Sequence, residues 1–96
     1  DNPRGAISVA GLAREVRRSS QALRAACLSV TGYRLDEMLM IRRLNHARRD
    51  LIAARDAPRR VSDIALDWGF SHWGRFSTRY HALFGETPTQ TMRVRN

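Results

Sequence analysis

The sequence predicts an all-α fold in which two helix-turn-helix lobes are joined by one long helix. Apolar residues recur at helical spacing along the chain, and no stretch alternates as a half-buried strand does. A pattern of helix, turn and helix occurs twice: Ala13 corresponds to Ala65, and Ser19 to Ser71, at an offset of 52 residues. The longest helical pattern of the chain lies between the two copies.

The first copy predicts two short helices. Residues 1–7 are expected to be irregular, after which Ser8 is the candidate N-cap of a helix over 9–17 and Ser19 that of a helix over 20–30. The side chains expected to point inward are Val9, Leu12, Ala13 and Val16 in the first helix, and Leu23, Ala26, Cys27 and Val30 in the second.

The longest helix is predicted over 36–55. It lies in a linker of residues 35–56 that separates a first lobe at 1–34 from a second at 57–96, and Pro58 ends it because proline cannot continue the helical hydrogen bonds. Its buried stripe is expected to comprise Leu35, Met38, Leu39, Ile41, Leu44, Ala47 and Leu51.

The second copy predicts three helices, over 63–68, 72–84 and 88–94. Ser62 and Ser71 are the candidate N-caps of the first two, and Gly85 ends the second. Thr87 and Pro88 suit the N-cap and first position of the last helix. The first of these helices carries the apolar residues Ile64, Ala65 and Trp68, and the side chains expected to point inward from the second are Phe76, Tyr80, Leu83 and Phe84.

The two turns are predicted to differ in length and in sequence. Leu23 aligns with Phe76 at an offset of 53, so the second turn holds one extra residue. Gly69 fits a position with positive φ, and Arg17 occupies the corresponding place in the first copy. A left-handed conformation at a residue other than glycine costs about 1 kcal/mol.

Composition favours a polyanion as partner. The 96 residues carry a net charge of +8, and all 17 basic residues are arginine. A GC-rich genome explains the absence of lysine, but each arginine still presents a planar fork that binds phosphate or guanine through two hydrogen bonds. A membrane surface is disfavoured because the arginines are spread over several helices, and no apolar run is long enough to span a bilayer.

Enzymatic and metal-binding classes find no support in the sequence. Cys27 is the single cysteine and is expected to be a small core residue. The three histidines, His46, His72 and His81, do not combine with it at zinc-ligand spacing. No glycine-rich phosphate loop or catalytic triad is present, so we expect neither a cofactor nor an enzyme.

Three segments, taken in order, resemble the AraC/XylS family of bacterial transcription regulators. The residues that resemble its second helix-turn-helix are Ile64, Ala65, Gly69, Phe70, Phe76, Tyr80, Phe84, Gly85, Pro88 and Arg93. Those that resemble its first are Leu12, Ala13, Ser19, Leu23, Thr31 and Gly32, and the string Arg43–Leu51 resembles its linker helix. The resemblance covers about residues 7–95.

The resemblance implies homeodomain-like lobes that place recognition helices, 20–30 and 72–84, in successive major grooves of double-stranded DNA. Because one turn of DNA spans about 10–10.5 bp, a monomer would read two short boxes. It also implies effector binding and dimerisation through an absent N-terminal domain, RNA polymerase as a further partner, and a cytoplasmic location at the bacterial nucleoid. The start at Asp1 rather than Met fits a fragment of a longer regulator.

The outward positions of the first recognition helix follow from its inward ones. They are Ser20, Gln21, Arg24 and Ala25. Gln21 is suited to adenine, Arg24 to O6 and N7 of guanine, and Ala25 to the methyl group of thymine. The alternative is an exposed helix without a partner.

In the second recognition helix the candidate DNA contacts are His72, Trp73, Gly74, Arg75, Ser77, Thr78 and Arg79. Arg75 is the first candidate for direct base readout, and Thr78 matches a family position that contacts bases. Ser77 and Arg79 are better suited to phosphate. Trp73 precedes Phe76 by three residues, which leaves core packing and DNA contact both open.

The sequence therefore predicts sequence-specific binding of double-stranded DNA. A first alternative is an architectural binder with little preference among sequences. A second is an interaction module in which the first lobe binds a protein partner and only the second lobe binds DNA.

Overall fold

The computed structural model describes residues 7–93, and within that range the chain is all α-helix. The helices are α1 (Val9–Val16), α2 (Ser20–Thr31), α3 (Leu35–Ala53), α4 (Val61–Asp67), α5 (Trp73–Phe84) and α6 (Pro88–Arg93). The predicted fold class is confirmed, and the helix ends lie within about two residues of the predicted ones. Apart from Ile7, the segment expected to be irregular falls outside the described residues.

The chain divides into two compact units, Asp1–Arg43 and Leu44–Asn96, called here the first and second unit. The division falls within α3, which begins in the first unit and ends in the second. Each unit contains one helix pair of the repeat: α1 and α2 in the first, α4 and α5 in the second.

The two helices of the first unit begin at side-chain caps. The Ser8 hydroxyl oxygen accepts a hydrogen bond of 2.9 Å from the Gly11 amide at the start of α1. The Ser19 hydroxyl oxygen accepts one of 3.0 Å from the Ala22 amide at the start of α2. Each bond satisfies a backbone donor that the helix itself leaves unpaired, and both predicted caps are confirmed.

The first unit has a small core. Ile7, Val9, Ala13 and Leu35 are buried, whereas α2 buries no residue completely. Leu23 and Cys27 are half-buried, so the expected face is present but only partly covered. The prediction was wrong for three side chains, which are exposed: Val16, Ala26 and Val30. Periodicity identifies residues that share a face, but not how wide a stripe the neighbouring helices cover.

The predicted buried stripe of α3 is only partly correct. Leu35 is buried in the first unit, and Leu44, Ala47 and Leu51 are buried in the second, while Leu39 is half-buried. Met38 and Ile41 are exposed, contrary to the prediction. The buried stripe of α3 is thus confined to its second-unit half, whereas in the first unit only Leu35 at the start of the helix is buried.

A row of aromatic rings forms the core of the second unit. Ring centroids are 4.8 Å apart between Phe70 and Phe76, 5.8 Å between Phe76 and Tyr80, and 4.6 Å between Tyr80 and Phe84. Phe76 and Tyr80 are buried, and Ile64 packs in the same core at zero exposure. Leu83, predicted to point inward, is 41% exposed.

Trp68 joins α3 to the turn after α4. Its indole Nε1 donates a 2.7 Å hydrogen bond to Oδ2 of Asp50, and its ring stacks on His46 with centroids 4.6 Å apart. Trp68 is buried. Because its one polar atom is paired, the indole packs in the core without an unsatisfied donor.

The serine caps predicted for the second unit were wrong. Arg60 is the N-cap of α4 and His72 that of α5, and neither side chain makes a capping hydrogen bond. The chain takes three residues from Gly69 to the cap at His72, but two from Arg17 to the cap at Ser19. The extra residue of the second turn therefore precedes the cap, and His72 rather than Ser71 corresponds to Ser19.

The last helix begins as predicted. The Thr87 hydroxyl oxygen accepts a 3.1 Å hydrogen bond from the Gln90 amide, and the Gln90 side-chain oxygen accepts one of 2.8 Å from the Thr87 amide. This reciprocal pair is a capping box, with Pro88 at the first helical position.

The turn of the first unit is left-handed at Arg17, whose conformation the sequence comparison left open. Arg17 has φ of 57° and is the non-glycine residue with positive φ in the described chain; Gly69, with φ of 84°, occupies the matching place in the second unit. We expect Arg17→Gly to stabilise the first unit by about 0.5–1 kcal/mol, because glycine reaches this conformation without a Cβ clash. Urea unfolding followed by far-ultraviolet circular dichroism measures the change.

The matched control for that substitution is Arg18→Gly. Arg18 is the next residue, is exposed and has no positive φ, so glycine there only adds flexibility to the unfolded chain. Arg18→Gly should leave stability unchanged or lower it slightly. Equal effects of the two substitutions would show that positive φ at Arg17 carries no measurable strain.

Tyr80 links the core of the second unit to α6. Its hydroxyl donates a 2.7 Å hydrogen bond to Oγ1 of Thr91, which in turn donates to the Glu86 carboxylate. Burial raises the pKa of the Tyr80 phenol above its ordinary value near 10, because the phenolate is poorly solvated there.

The alkaline stability of the second unit should therefore depend on Tyr80. A raised folded pKa gives stability that is fully present below pH 10 and lost as pH rises through the folded pKa. Tyr80→Phe should cost about 1 kcal/mol at pH 8 through the lost hydrogen bond, and this difference should shrink as pH rises to 11. Urea unfolding at several pH values measures both, and lysine does not titrate in this window because the chain has none. A difference independent of pH would contradict the expectation.

Candidate nucleic-acid interface

The first set of predicted contact residues lies near the start of α2. Gln21, Arg24 and Ala25 are exposed and Ser20 is half-buried. Leu23 and Cys27 form the opposing, partly covered stripe. The structure thus places these four predicted residues within the first two turns of one helix, away from its inward face.

Arg24 is held by an acidic residue that sequence reasoning did not single out. Its Nε donates to Oδ1 of Asp36 at 2.8 Å, and its Nη2 donates to Oδ2 at 3.1 Å. The two side chains are 51% and 57% exposed. This hydrogen-bonded guanidinium holds the pKa of the Asp36 carboxyl below its ordinary value, and the positive charge of Arg34 acts in the same direction.

Four of the second set of predicted residues share the exposed face of α5. Gly74, Arg75, Thr78 and Arg79 are exposed, and Phe76 lies on the opposite, buried face. A Cβ added at Gly74 would meet nothing within 4 Å, so the core does not require glycine there. The absence of a side chain instead leaves the backbone of the first turn open to a close approach.

The remaining predicted residues of this helix have other surroundings. His72 is the exposed N-cap residue, and Ser77 is half-buried. Trp73 is 48% exposed, with its ring centroid 5.8 Å from that of Phe76. One side of the indole packs on the core, as expected for one of the two readings, and the rest is accessible, so contact of Trp73 with DNA stays a prediction.

The inner face of α5 is held from several directions. In addition to the aromatic row, the Arg48 guanidinium carbon lies 5.2 Å from the centroid of the Phe84 ring, a cation–π contact from α3. Arg55 Nε donates a 2.9 Å hydrogen bond to the carbonyl of Thr91, which ties the end of α3 to α6. The exposed face of α5 is thus presented by a helix fixed through its core side.

The side chain that sequence reasoning missed is Asp36. It is separated from Arg24 by twelve residues, beyond any helical period, and the pair forms only because the turn at Gly32 brings the start of α3 beside α2. The sequence signal for Asp36 was its place in the first turn of a helix. This signal is not specific, because the partial positive charge of a helix N-terminus favours carboxylates there in many proteins.

No group of three or more histidine, cysteine, aspartate or glutamate side chains in residues 7–93 is placed to hold a metal ion. None of the described helices is long and apolar enough to cross a membrane.

The pairs α1–α2 and α4–α5 each consist of two helices joined by a short turn, and the second helix of each pair has an exposed polar face. This arrangement is that of a helix-turn-helix DNA-binding domain. The model of a helix-turn-helix domain family matches residues 12–94. The chain belongs to this family and, within it, to the AraC/XylS group of bacterial transcription regulators, which confirms the predicted resemblance.

The similar proteins are operon regulators. The chain is 37% identical over 88 residues, 92% of its length, to a probable thc operon regulatory protein of Rhodococcus erythropolis. It is 34% identical over 95 residues to XylDLEGF operon transcriptional activator 3 of Pseudomonas putida, and 32% identical over 92 residues to activator 2 of the same organism. No solved structure matches the chain significantly.

The chain is shorter than these relatives. Its matched part spans 26% of the Rhodococcus protein, 29% of activator 3 and 59% of activator 2. The names of these relatives describe regulators of operons.

Proposed function

We propose that this chain binds double-stranded DNA sequence-specifically, with α2 and α5 as recognition helices in successive major grooves. The observation that carries the proposal is the division of α5 into two faces. Phe76 and Tyr80 are buried, while Gly74, Arg75 and Thr78 are exposed at the N-terminal half of the helix, the part that contacts base edges in this motif.

Within α5 we assign base readout and backbone contact to different residues. Arg75 is exposed in the first turn and offers a guanidinium to O6 and N7 of guanine, and Thr78 lies one turn further along the same face. Arg79 and Ser77 are assigned to phosphate, and His72 and Trp73 flank the end of the helix that would enter the groove. Phosphate contacts supply affinity, and base contacts supply specificity.

In the first unit we assign the same task to the N-terminal half of α2. Gln21 is suited to adenine, Arg24 to guanine, Ala25 to a thymine methyl group and Ser20 to either base or phosphate. The lobes proposed to act on DNA are 1–34 and 57–96, joined by the linker 35–56. Engaging two grooves through one linker helix would favour DNA that bends easily.

The larger protein is proposed to be a transcriptional activator of the cytoplasm. The activator role is supported by the names of two relatives, which call them operon transcriptional activators. RNA polymerase is then a partner, and effector binding and dimerisation belong to a part of the regulator outside this chain.

Selection of the 96-residue chain against a random duplex library tests the proposal. The enriched duplex is then titrated by fluorescence anisotropy from about 50 to 200 mM salt, a range over which six to ten phosphate contacts lose about 10³–10⁵ in affinity. Two enriched boxes about 10 bp apart and a steep salt dependence are expected.

The other outcomes point to the alternatives. A single enriched box would mean that one unit reads DNA and the other serves a different purpose. Salt-sensitive binding without enrichment would show an architectural binder and overturn the proposal of sequence specificity.

A further inference from the structure

The contact between Arg24 and Asp36 uses one edge of the guanidinium and leaves the other available. A guanidinium has two edges that form paired hydrogen bonds, one made by Nε and Nη2 and the other by Nη1 and Nη2. Asp36 takes the first, through Nε to Oδ1 at 2.8 Å and Nη2 to Oδ2 at 3.1 Å. The Nη1 and Nη2 edge remains, and it is the end of the side chain farthest from α2.

The negative charge of the carboxylate that binds Arg24 is stabilised by its surroundings. Asp36 lies in the first turn of α3, where the backbone amides at the helix N-terminus favour a negative charge. The nearby guanidinium keeps the pKa of this carboxyl below its ordinary value, so Asp36 is ionised at neutral pH. Two charge-assisted hydrogen bonds to a side chain on a helix hold a long, flexible arginine in one orientation.

From this geometry we propose that Asp36 is a positioning residue for DNA recognition: it orients Arg24 so that the Nη1 and Nη2 edge is presented to a guanine. The proposal rests on the function proposed above and adds a residue outside the recognition helices. An arginine that is already ordered does not have to lose its rotamer freedom when it binds a base, so discrimination at that base pair increases.

The Asp36 carboxylate, proposed to increase discrimination between base pairs, should at the same time lower the affinity of the chain for DNA of any sequence. A negative charge beside a DNA-binding helix repels phosphates of any sequence, and this repulsion does not depend on which base is bound. Removing the charge should therefore raise affinity for all duplexes slightly while it lowers discrimination at one base pair. If Asp36 contributed only surface charge or fold stability, its removal would not raise general affinity and lower discrimination at one base pair together.

The test compares two dissociation constants for each variant of the 96-residue chain. One duplex carries the selected site, and the other carries the same site with one G·C pair replaced. The replaced pair is the one for which the Arg24→Ala variant no longer shows a sequence preference. The variants are Asp36→Asn, Arg24→Ala and the two combined. Glu37→Gln is the matched control, since Glu37 is the adjacent carboxylate in the same helical turn and removing it changes the net charge equally.

Arg24→Ala is expected to lower the ratio of the two constants by roughly 5- to 150-fold. Asp36→Asn should lower the same ratio by roughly 2- to 12-fold, with no loss of affinity for the mismatched duplex. Glu37→Gln should leave the ratio unchanged, and adding Asp36→Asn to Arg24→Ala should not lower the ratio further. Circular dichroism of each variant checks that the helices are retained.

Three results would overturn the inference. Asp36→Asn could raise affinity for both duplexes and keep the ratio, which would show that the pair sequesters Arg24 or acts only as charge. Glu37→Gln could lower the ratio equally, which would show a general effect of charge. Arg24→Ala could leave every base preference intact while the second unit still reads its box, in which case the inference fails but DNA binding stands. Absence of any enriched sequence would instead count against the proposed function itself.

Discussion

Phe76→Ala is expected to destabilise the second unit by about 3–5 kcal/mol, the range for removing a buried aromatic side chain. Phe76 is 1% exposed and has ring contacts with Phe70, Trp73 and Tyr80. Its loss leaves a cavity at the centre of the aromatic row, and the neighbouring rings are too large to close it without leaving their own positions. Since a small domain is stable by only about 5–15 kcal/mol, much of the folded population could be lost.

Tryptophan fluorescence during urea unfolding measures this effect in the second unit alone, because both tryptophans of the chain, Trp68 and Trp73, belong to it. Leu83→Ala is the matched control: it removes a large apolar side chain from the same helix, but one that is 41% exposed. Its cost should stay near or below about 1 kcal/mol. Similar losses from both substitutions would mean that the aromatic row is not the main source of stability.

Arg75→Ala is expected to reduce discrimination at one base pair of the second box by roughly 5- to 150-fold, which corresponds to the loss of one bidentate contact with guanine. Arg79→Ala should act differently. It should weaken binding to all duplexes alike and reduce the slope of log affinity against log salt by about 1, the signature of a lost phosphate contact. Both side chains are exposed on α5, so neither change should disturb the core.

Anisotropy titrations with the selected duplex and with each single-base-pair variant of its second box separate the two roles. The first box serves as an internal control, since preference there should persist in both variants. If Arg75→Ala weakened all duplexes equally and Arg79→Ala erased one base preference, the two assignments would have to be exchanged. An unchanged affinity in both variants would remove α5 from the DNA interface.

The two units differ in how well their second helix is anchored. In α5 two aromatic residues are buried, and α6 and α3 both contribute contacts to that core. In α2 the corresponding residues, Leu23 and Cys27, are only half-buried. On this basis the exposed face of α5 is the more firmly held of the two, while in α2 the Arg24 side chain is hydrogen-bonded to Asp36, a residue outside the helix.

Local sequence signals determined the helices and most of their ends. Helical periodicity and the breaks at Pro58, Gly69 and Gly85 place every element, because backbone preferences and capping depend on a few neighbouring residues. The repeat also aligned Arg17 with Gly69, and the structure shows a positive φ at both residues. The division of α5 into a buried and an exposed face also needed only the spacing of Phe76 and Tyr80.

Tertiary structure decided how much of each apolar face is covered and which charged groups meet. Periodicity could not show that Val30 would be 84% exposed, because burial depends on the helices that pack against a face and not on the face itself. The N-cap of α5 is His72 and not the predicted Ser71. The alignment of the two copies showed that the second turn has one extra residue, but not where in the turn that residue lies. The pairing of Arg24 with Asp36 is the clearest case, because two side chains twelve residues apart meet only when the chain between them has folded.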